Sequence, residues 1–266
     1  MKALQTAVLV TLAGICIACG DHGPLSPSPV PTHSTQPTSN PPTTDPPVST
    51  PVPGSWSDDF SGGVLSSQWQ ANGGGRWGVA ADHVDMSQGM LGLRLTQTRN
   101  ADGSFTSTGG EVQSLQTYGF GTYTWVARMS STASTPNGPG NSVSGSSSGV
   151  FNFFNNSETE IDYEVEGNHP NTVHMVTWHI TLAPTVADAS APSDTGFHEY
   201  KFVWYSDRIE RYIDGAHVAT QTTAVPVTPA YVMMNHWGTC CSSWGGPPTE
   251  GTRYMWVRSF SFVPNR

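Results

Sequence analysis

The chain has 266 residues, a formal net charge of −9 and only 12% charged residues, whereas an ordinary soluble domain carries about 25%. This length allows one large domain or two small ones. Clusters of Lys and Arg are absent, so nucleic acid is excluded as an expected partner. The many Trp, Tyr and Phe residues fit a carbohydrate-handling protein, because sugar rings stack on aromatic faces. Trp that fills a β-sheet core is the alternative interpretation.

Residues 1–19 are typical of a bacterial lipoprotein export signal. Met1 and Lys2 give a short basic start, residues 7–17 are apolar, and Cys19 follows the small residue Ala18. An apolar run of this length is too short to span a bilayer but fits the core of a signal peptide. We expect export, with Cys19 lipidated at the cell envelope and a lipid anchor as the only membrane attachment. Ordinary cleavage near Ala18, which would release a secreted product, is the alternative.

Residues 20–54 form a linker rich in Pro, Ser and Thr, without aromatic residues and without Lys or Arg. Such a segment cannot bury a core and stays extended, so it serves as a stalk or a plain spacer. The folded domain is then expected over residues 55–266, as a monomer.

The sequence of this domain alternates with the period of a β-strand. Leu91, Leu93 and Leu95 alternate with small or polar residues, and residues 123–129 and 200–204 show the same period,. Asp214-Gly215 between two β-rich runs predicts a hairpin turn. No helical period is evident, so we expect an all-β, antiparallel β-sandwich. Residues 130–149, rich in Ser, Gly and Pro, predict a long mobile loop before a strand at 150–154.

The segment 159–167 carries four acids at alternate positions. If it is a strand, Glu160, Asp162, Glu164 and Glu166 share one face. Like charges in a row destabilise a strand, so this arrangement indicates a functional site. A retaining glycosidase needs a carboxylate nucleophile and a carboxylic acid about 5–5.5 Å apart, and crowding keeps one of them protonated. A calcium-binding strand or a solvated acidic face is the alternative.

Cys240 and Cys241 are adjacent near the C-terminus. Two neighbouring cysteines with no other ligand at the required spacing cannot form a metal site. In an oxidising compartment we expect a disulfide between Cys240 and Cys241, with two unpaired thiols as the alternative.

Residues 160–164, Glu-Ile-Asp-Tyr-Glu, match the Glu-Ile-Asp-X-Glu signature of glycoside hydrolase family 16. Further segments resemble the family in its own order, which extends the resemblance over most of the domain; they are residues 110–123, 197–204, 208–215 and 233–238. The spacing of the acids resembles the branch of lichenases and xyloglucan transglycosylases. The resemblance implies a concanavalin A-like jelly roll with an open cleft on its concave sheet.

The resemblance also implies roles for individual residues. Glu160 would be the nucleophile, Glu164 the general acid/base, and Asp162 the helper between them. The implied sugar-binding residues are Glu111, Tyr123, Asn235 and Trp237. The substrate would be a β-glucan, cleaved internally with retention. Transglycosylation with the same acids and a non-catalytic glucan-binding lectin are the alternatives, and the presence of both acids favours an enzyme.

The chain departs from the family pattern at several positions. Glu158 stands where lichenases usually have Trp, Gln113 where Arg is common, and Glu166 where the family is apolar. Met255 occupies the position of an Asp that binds a structural calcium in the family, and a thioether is not an oxygen ligand. We therefore expect no metal and no cofactor.

Overall fold

The computed structural model describes residues 54–73, 78–179, 185–239 and 244–265. The expected signal with Cys19, nearly all of the linker, and the pair Cys240 and Cys241 lie outside these ranges. Within them the only helix is a short 3-10 helix, Ala81–His83. None of the described segments is a helix long and apolar enough to cross a membrane.

The strands form two antiparallel sheets that face each other. The first has seven strands in the spatial order β11-β10-β9-β8-β15-β6-β2. In chain order these are β2 (Trp69–Ala71), β6 (Gly110–Tyr118), β8 (Ser146–Phe154), β9 (Thr159–Glu166), β10 (Thr172–Trp178), β11 (Thr185–Ser190) and β15 (Ala230–Gly238).

The second sheet has nine strands, and its main path is β14-β13-β12-β7-β16-β4-β3, with β1 paired to β16 and β5 paired to β4. In chain order these are β1 (Trp56–Asp58), β3 (Val84–Asp85), β4 (Leu91–Arg99), β5 (Phe105–Thr108), β7 (Gly121–Ser131), β12 (His198–Trp204), β13 (Ile209–Ile213), β14 (Ala216–Gln221) and β16 (Gly251–Pro264).

The core fills the space between the sheets with alternate residues of each strand. Leu91 and Leu93 of β4, Trp125 of β7, and Phe202 and Trp204 of β12 are all fully buried. The expected β-sandwich and its period-two patterning are therefore confirmed. The predicted hairpin is confirmed as well: Asp214 and Gly215 have φ of 50° and 77°, as a two-residue turn of this kind requires.

The loop before β8 is shorter and better anchored than predicted. β7 runs to Ser131 and β8 begins at Ser146. The guanidinium of Arg128, buried on β7, donates hydrogen bonds to the carbonyl oxygens of Pro136, Gly138 and Gly140 at 2.7–3.2 Å. The loop predicted over 130–149 is too long at both ends, because β7 and β8 continue into it. The buried guanidinium of Arg128 binds the middle of the remaining loop.

Candidate active site

Strand β9 places the acids on the face of the seven-stranded sheet that points away from the core. Ile161, Tyr163 and Val165 are fully buried against the nine-stranded sheet. Glu160, Asp162 and Glu164 alternate with them and therefore share the opposite face, as predicted. We call this opposite side of the seven-stranded sheet, which carries Glu160, Asp162 and Glu164, the acid face.

A row of polar residues crosses the acid face at the level of Glu164. Glu164 pairs with Gly149 on β8, Gly149 with Asn235 on β15, and Asn235 with Glu111 on β6. The Asn235 amide donates to Glu111 Oε2 at 3.2 Å, and the Asn72 amide donates to Glu111 Oε1 at 2.8 Å. The predicted sugar ligands Asn235 and Glu111 are thus brought into line with Glu164.

Gly149 keeps the centre of this row open. A Cβ atom at Gly149 would lie 3.1 Å from Asn235 Oδ1 and 3.7 Å from Glu164 Cγ. Any side chain there would fill the space between the two residues, so glycine leaves room above the sheet for a ligand.

Aromatic residues lie beyond the acids at both ends of β9. Beside Glu160, Trp178 is its partner on β10 and Phe153 its partner on β8, and Phe153 pairs in turn with Tyr231. At the other end, Trp237 pairs with Ser147, which pairs with Glu166. Trp178, Phe153, Tyr231 and Trp237 are all partly exposed, so each can stack against a sugar ring.

The carboxyl group of Glu160 has a moderately raised pKa. Burial raises its pKa to about 6, and a hydrogen bond donated by the Ser157 hydroxyl opposes that rise. Glu160 is therefore mostly ionised at neutral pH, the state required of a nucleophile.

The carboxyl group of Glu164 holds its proton more firmly. Burial and the nearby charge of Glu160 raise its pKa to about 8, while His174 opposes the rise and Glu166 adds to it. Glu164 is thus protonated at neutral pH. Two carboxyl groups whose surroundings push their pKa values apart can serve as base or nucleophile on one side and acid on the other.

Asp162 lies between them and is only 3% exposed. Burial, with the charges of Glu160 and Glu164, raises its pKa well above the ordinary range, and Arg211 opposes that rise. A raised pKa favours the neutral form of Asp162 and so limits the negative charge beside Glu160 and Glu164, which suits the predicted helper role.

Two residues that cross the core hold β9 in place. The hydroxyl of Tyr163 donates to the carbonyl oxygen of Lys201 at 2.5 Å. Arg211 of β13 is 2% exposed, and its guanidinium donates to Asp162 O at 2.6 Å, Val176 O at 2.9 Å and Thr177 Oγ1 at 2.7 Å. Asp162 thus lies directly above a buried cation.

Sequence reasoning did not single out Arg211 or Asn72. The signal for Arg211 is its position between Ile209 and Ile213, where a period of two places it in the core,. Asn72 follows the short strand β2 in no recognisable motif, and only the register of β2 with β6 brings it to Glu111.

The structure contradicts the predicted sugar contact of Tyr123. Its side chain is fully buried in the core, and its hydroxyl donates to Gly119 O at 2.5 Å. Tyr123 belongs to the nine-stranded sheet and faces inward, so no sugar on the acid face can reach it. His236, on β15 between Asn235 and Trp237, is also fully buried and faces the core, where burial lowers its pKa to about 3.

The position of the family's calcium ligand does not fit a metal here. Met255 is fully buried within the hydrophobic core cluster, and its thioether is a poor ligand for calcium. The part of the chain that the structure describes contains no group of three His, Cys, Asp or Glu residues that could hold a metal ion.

Comparisons with known proteins agree with this fold. The sequence model for "Glycosyl hydrolases family 16" matches residues 74–258. A beta-glucanase of Bacillus subtilis (strain 168) is 30% identical over 216 residues, which cover 76% of this chain and 78% of that protein. The endo-1,3-1,4-beta-glycanase ExoK of Rhizobium meliloti (strain 1021) is 26% identical over 198 residues, covering 70% and 69% of the two chains. The solved Bacillus licheniformis beta-glucanase superposes with a TM-score of 0.66 at 25% identity, covering 80% of this chain and 99% of that one.

Proposed function

This chain belongs to glycoside hydrolase family 16 and is a glycosidase, and from that premise we propose that it is an endo-acting, retaining hydrolase of a β-1,3/1,4-linked glucan. The observation that carries the proposal is the difference in pKa between the two glutamates that share one face of β9, about 6 for Glu160 and about 8 for Glu164. The beta-glucanase relatives support the substrate class.

The proposed reaction has two steps. Glu160 attacks the anomeric carbon while Glu164 gives its proton to the departing glycosidic oxygen, so that the old C–O bond breaks as a glycosyl ester forms on Glu160. Glu164, now ionised, then takes a proton from water as that water attacks the anomeric carbon and releases Glu160. The raised pKa of Asp162 between them favours its neutral form and limits the negative charge beside the reacting pair.

The polar row and the aromatic residues bind the polymer in this proposal. Asn235 and Glu111 hydrogen-bond sugar hydroxyls beside the open position at Gly149, and Trp237 stacks on a sugar ring. Because the aromatic residues lie on both sides of the acid pair, sugar units can be held on either side of the bond that breaks. This arrangement supports cleavage within a chain rather than at its end.

The protein is proposed to act outside the cytoplasm as a monomer. The support for export is the signal-like sequence of residues 1–19 and the Pro-rich segment after it. With Cys19 lipidated, the linker would hold the domain away from the membrane. Mass spectrometry of the membrane and secreted fractions distinguishes an acylated Cys19 from an unacylated product cleaved near Ala18.

The test compares the wild-type protein with Glu160→Gln on lichenan, laminarin, xyloglucan and agarose. We expect the wild type to release reducing sugar from lichenan or laminarin, with NMR showing that the β-anomer forms first. Loss of the nucleophile should lower kcat by at least about 10³-fold. Glu210→Gln on the outer surface of the nine-stranded sheet is the matched control and should keep full activity.

Three other outcomes would each overturn part of the proposal. Initial release of the α-anomer would exclude retention. Products longer than the substrate would identify the transglycosylase, in which a sugar hydroxyl replaces water. Binding to a glucan column without any cleavage would identify a lectin on a hydrolase fold.

A further inference from the structure

His174 lies beside Glu164 and between two other carboxylates. Its strand β10 pairs with β9 so that His174 is directly opposite Glu164, and on its other side it is opposite Asp188 of β11. Its Nε2 atom is 2.9 Å from Glu166 Oε1, and its Nδ1 atom is 2.8 Å from Asp188 Oδ1. The polar row therefore extends from Glu164 to His174 and Asp188.

These contacts fix the charge of the ring. Both nitrogens face carboxylate oxygens, and only the imidazolium form has an N–H on each nitrogen. Burial of the ring opposes protonation, but the Glu166 carboxylate beside Nε2 and the Asp188 carboxylate hydrogen-bonded to Nδ1 outweigh it and raise the pKa of His174. The side chain is 16% exposed, and its ring centroid lies 5.0 Å from that of Trp244.

Glu166 is itself held as an anion. Its side chain is 7% exposed, and it accepts the backbone N–H of Gly245 at 2.5 Å. Burial opposes ionisation, but the ion pair with His174 and the hydrogen bond from Gly245 outweigh it and lower the pKa of Glu166. The residue that the sequence marks as an unusual fourth acid thus has a defined partner.

Charged groups surround Glu164 on its own strand and on the neighbouring strands. On its own strand it faces Glu160, Asp162 and Glu166, and β8 and β15 offer it only the uncharged Gly149 and Asn235. From β10 and β11 come His174 and Asp188, and Glu111 lies at the far end of the row on β6. Arg211 approaches from the core side at Asp162. Among the described residues on the acid face, His174 is the cation that adjoins Glu164.

We propose that His174, fixed as a cation between Glu166 and Asp188, is a positioning residue that controls when Glu164 holds its proton. The inference rests on the proposed function of Glu164 as the general acid/base. When Glu164 passes its proton to the leaving oxygen, the new carboxylate is stabilised by the adjacent imidazolium. Without that cation, Glu164 keeps its proton more tightly and donates it less readily.

The test is His174→Gln, which keeps a hydrogen-bond donor and removes the charge. An opposite charge within about 4–6 Å lowers the pKa of a carboxyl group by about 1–3 units. We expect the alkaline limb of the kcat/KM profile, set by Glu164, to move upward by about one pH unit. The acid limb, set by Glu160, should stay in place, and kcat at the optimum should fall several-fold.

His198→Gln is the matched control. His198 on the nine-stranded sheet also pairs with an aspartate, at 2.6 Å to Asp214 Oδ2, and the exposed fractions of the two side chains are 17% and 53%, against 16% and 54% for His174 and Asp188. It lies in the other sheet, remote from the acids. We expect neither limb to move in this variant.

A second measurement separates this inference from the proposed function. Titration of the Glu164 carboxyl by ¹³C NMR, assigned with Glu164→Gln, needs no turnover. An upward shift in His174→Gln supports the inference even if the wild type cleaves no glucan. An unchanged Glu164 titration, or a fall in kcat that is equal at every pH with both limbs in place, would show that His174 has only a structural role.

Discussion

Glu164 and Glu210 are both glutamates within antiparallel strands, yet their surroundings move their pKa values in opposite directions. Glu164 on the acid face is partly buried beside Glu160, and its pKa rises to about 8. Glu210 on the outer surface of the nine-stranded sheet accepts a hydrogen bond from Arg208 at 2.7 Å, which lowers its pKa. The difference shows that the chemistry of this chain comes from placement and not from residue type.

The cations of the two regions differ in the same way. Arg208 is partly exposed and pairs with Glu210 and Asp207. Arg211, three residues later, faces inward and binds backbone and hydroxyl oxygens beneath the acids. Arg208 thus forms ion pairs at the surface, whereas Arg211 supports the opposite sheet.

The largest effect should come from removing that support. Arg211→Ala loses three hydrogen bonds from a charged donor, each worth about 1.5–3 kcal/mol, and leaves a cavity, while it also relieves the desolvation of the guanidinium. We expect a net loss of about 3–5 kcal/mol in the free energy of unfolding, measured by urea denaturation.

Arg208→Ala is the matched control for this change. Because Arg208 is partly exposed and forms only surface ion pairs, its loss should alter the free energy of unfolding by no more than about 0.5 kcal/mol,. Equal effects of the two substitutions would show that desolvation cancels the hydrogen bonds of Arg211.

The second largest effect concerns how the stability of the fold depends on pH through Glu164. Its folded pKa lies near 8, above the ordinary value of 4.5, so the folded state binds more protons than the unfolded state between these values. Stability therefore falls as pH rises through this window. Glu164→Gln removes the penalty, and we expect its melting temperature to exceed that of the wild type increasingly from pH 5 to pH 9.

Glu210→Gln should change the pH dependence of the melting temperature in the opposite direction. Because the folded pKa of Glu210 is lowered, its ionised form is favoured in the fold, and replacing it should bring no gain at high pH,. A gain at pH 9 that is the same for both variants would mean that net charge, rather than the site, sets the pH dependence.

The smallest effect should come from the polar row. Asn235→Ala removes one hydrogen bond to a sugar hydroxyl and the contact with Glu111, at a cost of about 0.5–1.5 kcal/mol. We expect a rise in KM of about 2–12-fold with little change in kcat. Asn100→Ala, whose amide binds Ser104 in a turn of the nine-stranded sheet, should leave both constants unchanged.

The sequence by itself determined the fold class, the family and which faces of β9 are buried. Each of these depends on local order: alternation in one strand and the run Glu160 to Glu164 are visible without knowing the partner strands. The same local argument failed for Tyr123, because a match to a family motif does not say which face of a strand a residue occupies.

Only the tertiary structure decided what surrounds the acids. His174 opposite Glu164, Asn72 at Glu111 and Arg211 beneath Asp162 are brought together by strand register and by the packing of one sheet on the other. The pKa values follow from those contacts, since burial and neighbouring charge are properties of the assembled sandwich. A row of alternating acids in the sequence thus becomes a nucleophile and a proton donor only when the two sheets close around it.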